Sequence, residues 1–194
     1  GRAFWRCFEP RWRELFPAQT AGFSSDELYL AVNAVEPTLI RVDSDEVTYN
    51  LHIILRFEIE KRLFSGELAV KDLPAAWRQA SKELVGLEPS NDREGVLQDV
   101  HWSAGLFGYF TTYTLGNVIA AQLWDAFGAS NPDRDAQVAR GEFSPLLEWL
   151  RGQLHQHGRA YQAQELLVRI TGSKLDPAPY LRYLEQKYGE LYGL

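Results

Sequence analysis

Polar side chains able to do chemistry crowd into two short spans of this chain: Leu39–Arg56, reading LIRVDSDEVTYNLHIILR, and Gly95–Asn117, reading GVLQDVHWSAGLFGYFTTYTLGN. Arg41 stands in the first span; a guanidinium presents a planar two-donor fork that matches a carboxylate, so this residue is a candidate anion binder. The same fork would serve a structural ion pair with Asp43, Asp45 or Asp99. In the second span His101, Tyr109 and Tyr113 carry donors able to stabilise negative charge developing on oxygen. The two tyrosines are four residues apart and share one face if that segment is helical. The competing assignment is a hydrogen-bonded core histidine beside core aromatics with polar tips.

Helices must carry most of these residues. Pro10–Phe16 reads as a short helix stopped by Pro17. Ser24 followed three residues later by Glu27 predicts a capping box opening a helix through about Val35, with Pro37 beyond it. The alternating, β-branched stretch Thr38–Asp43 predicts a short strand or turn. Asp43, Ser44, Asp45 and Glu46 then supply caps and negative charge at a helix N-terminus. Val47, Leu51, Ile54, Leu55 and Ile59 recur at helical spacing and carry that helix to about Phe64.

Pro74 suits the first turn of a helix running to about Val85, and Gly86–Gly95 reads as a polar loop. A further helix is expected from about Ala104 to Gly128. Four more follow at Pro132–Ala139, Ser144–His155, Ala160–Thr171 and Pro177–Tyr192, with prolines near starts and glycines near ends. No fixed-period repeat is present. The fold class expected is mainly α, with at most a short strand near 38–43, in a single unit over 1–194.

Several functions are excluded by what the chain lacks. The net charge of −6 is wrong for a nucleic-acid binder, which needs a basic surface. No run approaches the roughly twenty apolar residues that cross a bilayer. The single cysteine, Cys7, rules out an internal disulfide and fits a reducing, cytoplasmic compartment. The four histidines, His52, His101, His155 and His157, do not form the helical His-Glu-x-x-His zinc motif. His155 and His157 read as exposed polar residues, and His52 as a core or surface group. No Gly-x-Ser-x-Gly turn or phosphate loop appears. The chain contains no methionine, which predicts a piece of a longer protein.

Both spans resemble the paired signatures of the carboxypeptidase Taq family, the M32 metallocarboxypeptidases. Gly95-x-x-Gln98-Asp99-x-His101-Trp102 matches the family's Gly-x-x-Gln-Asp-x-His-Trp at every specified position. Ile40-Arg41-Val42-Asp43-Ser44-Asp45 matches Ile-Arg-x-x-Ala-Asp with serine in place of alanine, a change that adds a possible capping hydroxyl. GYFTTYTLGN also follows the family, with Thr111 where many members carry proline.

The resemblance runs from Phe4-Trp5 to the C-terminal tyrosine-rich helix and implies the helical C-terminal part of a deep-cleft metallopeptidase. The metal ligands would lie in a missing N-terminal portion, and none is expected in these residues. It implies that the whole enzyme, with zinc or cobalt, removes single residues from peptides with a free C-terminus, often as a homodimer. In that picture His101, Tyr113 and Tyr109 are the catalytic donors. Arg41, Gln98 and Tyr109 bind substrate, and Asp45 and Asp99 position them. The alternative is a non-catalytic helical module that uses its aromatics for packing and its acidic surface for a partner.

Overall fold

The computed structural model describes residues 1–194, all helix, turn and loop with no strand. Ten α-helices follow one another: α1 (Arg2–Leu15), α2 (Pro17–Thr20), α3 (Ser25–Val32), α4 (Tyr49–Ser65), α5 (Leu73–Leu84), α6 (Thr111–Ser130), α7 (Arg134–Ala139), α8 (Ser144–Gln153), α9 (Ala163–Thr171) and α10 (Ala178–Tyr192). The chain divides into two compact units, one of residues 1–32 and 117–194 and the other of residues 33–116. The division falls within α6.

In the unit of residues 33–116, α4 and α5 pack around Leu55, Ile59, Leu68 and Trp77. Asp45 shapes the turn just ahead of α4: its side chain accepts the Val47 and Thr48 backbone N–H groups at 2.8 and 2.9 Å and the Thr48 hydroxyl at 2.6 Å, and its carbonyl accepts the Tyr49 N–H at 2.9 Å. These bonds satisfy donors that an incoming helix would otherwise leave open. At the other end Gly66 takes a left-handed conformation, φ 81°, and closes the helix.

The unit of residues 1–32 and 117–194 is built on aromatic packing. Trp5, Leu28 and Tyr29 form its buried cluster with Trp12 and Leu191 against them. The indole of Trp5 donates to the Ser25 hydroxyl at 3.1 Å. The capping box of α3 is present. Ser24 N–H and Oγ–H both donate to Glu27 Oε2 at 2.8 Å, and Glu27 N–H returns to Ser24 Oγ at 3.2 Å. Buried Gln122 on α6 gives its amide to Ser173 Oγ and the Lys174 carbonyl and receives Asp176 N–H, fixing the turn between α9 and α10.

Three sequence expectations need correction, and a fourth left two alternatives of which one is realised. The first helix begins at Arg2 rather than Pro10, because Phe4 and Phe8 stack at 5.7 Å and Trp5 meets Trp12 at 5.4 Å along one continuous helix that tolerates Pro10 inside it. α3 ends at Val32, before the irregular run leading to Pro37. Of the strand or turn expected at 38–43, the turn is realised, as a 3-10 segment at Arg41–Asp43. The long helix expected from Ala104 begins only at Thr111. Gly105 and Gly108, at φ 73° and 74°, put two left-handed bends into the approach.

Candidate functional site

Every candidate residue lies in the unit of residues 33–116. Gly95 opens the loop that carries most of them, and a side chain there would be crowded. A Cβ there would sit 3.3 Å from the Asn91 carbonyl oxygen and from Pro89. Gln98 then ties this loop to the 39–41 segment. Its Oε1 accepts the Arg41 N–H at 2.9 Å, and its Nε2 donates to the Leu39 and Glu94 carbonyls at 3.1 and 2.9 Å. The Gln98 amide is thus spent on backbone.

Asp99 is the hub. Its Oδ1 accepts Arg41 Nε–H at 3.0 Å and Nη2–H at 2.7 Å, a two-point grip, while its Oδ2 accepts Arg56 Nε–H at 2.7 Å. Arg56 Nη2 lies 2.6 Å from the same oxygen, an ion contact rather than a second directed hydrogen bond. Of the partners the sequence offered for Arg41, the structure supplies Asp99. Arg41 also donates Nη1–H to the Tyr49 hydroxyl at 3.1 Å, and Ser44 in its turn donates back to the Arg41 carbonyl at 2.6 Å.

Burial by itself would raise the Asp99 carboxyl, but the two guanidiniums outweigh it and hold the group below the usual carboxylate value. Burial opposes the charge of Arg41 as well, and Asp99 more than offsets that, so Arg41 is held above its ordinary value.

His101 is buried. Its Nε2 and the Tyr113 hydroxyl are 3.0 Å apart, and its Nδ1 lies 3.9 Å from Asp99 Oδ1 with no hydrogen-bond partner. Phe110 covers the imidazole at 4.3 Å between ring centres. Tyr109, 43% exposed, is on the bend before α6 rather than on its helical face, yet its ring still comes within 5.7 Å of His101 and 5.5 Å of Tyr113. The Arg41 guanidinium carbon lies 5.2 Å from the centre of the Tyr113 ring. The structure therefore brings His101, Tyr109, Tyr113 and Arg41 into one cluster. Asp45 belongs instead to the start of α4, and Gln98 to the loop's anchorage.

Sequence reading gave no role to Arg56, Tyr49 or Glu60. Arg56 is fully enclosed, with Trp77 and Phe110 at 4.7 and 5.3 Å from its guanidinium carbon, and it donates Nη1–H to the His52 carbonyl at 2.8 Å. Burial pushes its pKa down to about 10 against the support of Asp99. His52, also buried, is pushed down to about 4, first by burial and then by Arg56. Glu60 accepts the Gly108 N–H and so holds the bend that delivers Tyr109. The available signal for Arg56 was a lone cation inside the apolar run LHIILRFEI.

No set of three or more His, Cys, Asp or Glu side chains here could hold a metal ion. His155 is exposed and His157 half-buried, in a 3-10 turn. No helix is long and apolar enough to cross a membrane.

Comparison with known proteins places this cluster in context. Thermostable carboxypeptidase 1 of Thermus thermophilus is 49% identical over 190 residues, covering 98% of this chain and 37% of its own length. Carboxypeptidase 1 of Bacillus subtilis is 42% identical over 191 residues, again 98% of this chain, and 38% of its own length. The crystal structure of the M32 carboxypeptidase from Deinococcus radiodurans R1 superposes with a TM-score of 0.96 at 49% identity, covering all of this chain and 39% of that one. The chain thus spans less than two fifths of the length of these relatives. The family model described as carboxypeptidase Taq (M32) metallopeptidase matches residues 1–188, and with a fold, a signature loop and a match of that extent the chain belongs to that family.

Proposed function

We propose that this chain is the C-terminal, substrate-holding portion of a metal-dependent carboxypeptidase that removes single residues from peptide C-termini with broad specificity. The observation that carries the reading is the 3.0 Å contact of His101 Nε2 with the Tyr113 hydroxyl beside the Arg41 guanidinium. An imidazole, a phenol and a cation stand together, of which the phenol can donate to an oxyanion and the cation can hold a free carboxylate. The relatives named above as carboxypeptidases support it.

The residues present do not fit a metal centre. In this proposal zinc or cobalt belongs to the portion of the protein outside residues 1–194, the whole works as a pair of identical copies, and the lone Cys7 suits a reducing cytoplasm.

Within the chain, the division of labour follows from hydrogen-bond direction. A single hydrogen bond joins His101 and Tyr113. When Nε2–H donates into the Tyr113 oxygen, the phenolic proton is released toward a substrate oxyanion. When Tyr113 donates to Nε2, it is not. Arg41, gripped on one side by Asp99, turns its remaining donors to the substrate carboxylate. Tyr109, exposed at the rim, contacts the substrate.

The test is made in the whole protein. His101→Ala and Tyr113→Phe should each lower turnover by about 10²–10³-fold, the loss seen on removing one oxyanion donor. Unchanged turnover in both variants sinks the reading.

A further inference from the structure

We infer that Tyr49 is a second ligand for the terminal carboxylate of the substrate and a specificity-determining residue: its hydroxyl donates to one carboxylate oxygen while Arg41 Nη1–H holds the other. The inference rests on the reading of the site as one that receives a free C-terminus, and it adds a residue that lies outside both matched signatures.

Tyr49 is the first residue of α4, and its surroundings fix where its ring stands. Its N–H is taken by the Asp45 carbonyl at 2.9 Å. Its ring meets that of Tyr113 edge-on, with centres 6.4 Å apart and planes at 89°. The next residue, Asn50, accepts Thr114 Oγ1–H at 2.9 Å, which ties the first turn of α4 to the first turn of α6. The phenol is half-buried, so it is held by the cluster without being sealed inside it.

Hydrogen-bond direction decides what the hydroxyl can do. Arg41 carries five N–H donors and no acceptor, so in the 3.1 Å contact between its Nη1 and the Tyr49 oxygen the phenol accepts. The phenolic proton therefore points away from Arg41, and no protein oxygen receives it. A hydroxyl that accepts from a cation is polarised and donates more strongly in turn. Arg41 commits Nε–H and one Nη2–H to Asp99 and one Nη1–H to Tyr49, which leaves one N–H on each terminal nitrogen.

The free Nη1–H and the Tyr49 O–H are thus neighbouring donors of different kinds. The nitrogen and oxygen that carry them are 3.1 Å apart, a separation that the two oxygens of one carboxylate can bridge. A carboxamide brings a single acceptor oxygen to the same place, and its NH2 group faces a donor. A pair of donors left partly unpaired by the amide discriminates in favour of the acid. Anchoring Arg41 does not call for the phenol, because Asp99 already holds the guanidinium through two hydrogen bonds. The competing role for Tyr49 is that of an acceptor alone, which steadies Arg41 and never meets the substrate.

The two roles separate in steady-state kinetics on the whole protein, with an N-acyl dipeptide as substrate and its C-terminal amide as competitor. Tyr49→Phe keeps the ring and its contact with Tyr113. It should raise KM for the free acid by about tenfold or more, the worth of a hydrogen bond to a charged group, with kcat within about threefold and the inhibition constant of the amide within about twofold of the parent. Replacing Tyr49 by 3-fluorotyrosine makes the hydroxyl a stronger donor and a weaker acceptor, and should leave KM for the acid at or below the parent value. Thermal melts identify which variants fold, and if Tyr49→Phe does not, the fluorotyrosine protein decides the matter. An unchanged KM in Tyr49→Phe overturns the inference and leaves the carboxypeptidase reading standing. So does an amide constant that rises in step with KM, or a fluorotyrosine KM that climbs toward that of Tyr49→Phe. A parent protein that binds acid and amide alike, or hydrolyses no peptide, overturns both.

Discussion

Arg56, at 0% exposure, and Arg182, whose side chain is 55% exposed, show how differently the two compact units treat charge. Every buried arginine, histidine or acid, namely Arg41, His52, Arg56, Glu60 and His101, belongs to the unit of residues 33–116. The buried polar residues of the other unit are the uncharged Thr20 and Gln122, and its ion pairs range from the half-buried Arg13–Glu9 to Arg182–Asp125 and Arg169–Glu165, which stand in solvent. Both units are helical and rich in aromatics, so the fold itself does not demand enclosed ions. Desolvating them opposes folding, and a protein keeps them where their fields are used.

Asp99 is where the contrast should be largest. Asp99→Asn removes the one carboxylate facing two buried guanidiniums and should cost about 3–5 kcal/mol, the usual penalty for breaking a buried pair from one side. Urea unfolding gives the number directly. The linkage has a definite sign. Because the folded pKa of Asp99 is depressed, its stabilisation is fully present above the ordinary carboxylate value and disappears as pH falls through the lower, folded one. A cost below about 1 kcal/mol would place Asp99 with the exposed pairs and erase the distinction between the units.

His52 sharpens the comparison at milder acidity. Its folded pKa of about 4 lies below its ordinary value of 6.5, so the unfolded chain takes up the proton first. Stability therefore rises with pH between those values and is lost as pH drops from 6.5 toward 4, at about 1.4 kcal/mol per pH unit inside the window. His52→Gln should flatten the melting temperature across that range. An unaltered pH slope in the variant would mean that another group governs the acid response.

The same contrast explains what could be read from the sequence. The Ser24–Glu27 box is legible because both partners lie within one helical turn, and Asp45 marks the start of α4 for the same reason. The nearness of His101 to Tyr113 was anticipated through the resemblance of the 95–117 span to the family signature rather than through spacing alone. Arg56 was not, because its meaning depends on Asp99, 43 residues away, and a helix pattern of Ile53, Leu55 and Ile59 absorbs it as one more position on the buried face. The placement of Tyr109 on α6 failed for a local reason: a run of apolar and aromatic residues outweighed Gly105 and Gly108, whose left-handed bends delay the helix. Pro10 was given too much weight in the other direction, since Phe4, Trp5, Phe8 and Trp12 keep α1 continuous through it.

The smallest expected effect tests the solvent-exposed side of the comparison. Glu165 and Arg169 are one helical turn apart on α9 at 3.2 Å, with side chains 52% and 55% exposed. Water screens such a pair, and its glutamate-before-arginine order favours it only slightly, so Glu165→Gln should cost about 0.2–0.5 kcal/mol and less in high salt. Arg169 has a second contact, its guanidinium carbon lying 4.1 Å from the centre of the Tyr161 ring. Arg169→Ala therefore loses stacking as well as charge and should cost about 0.5–1 kcal/mol more than Glu165→Gln. Urea unfolding at low and high salt separates the two contributions, because only the ion pair should fade. Equal costs for both variants at every salt concentration would show that the ring contact adds nothing, and that aromatic packing in this unit works without its neighbouring cations.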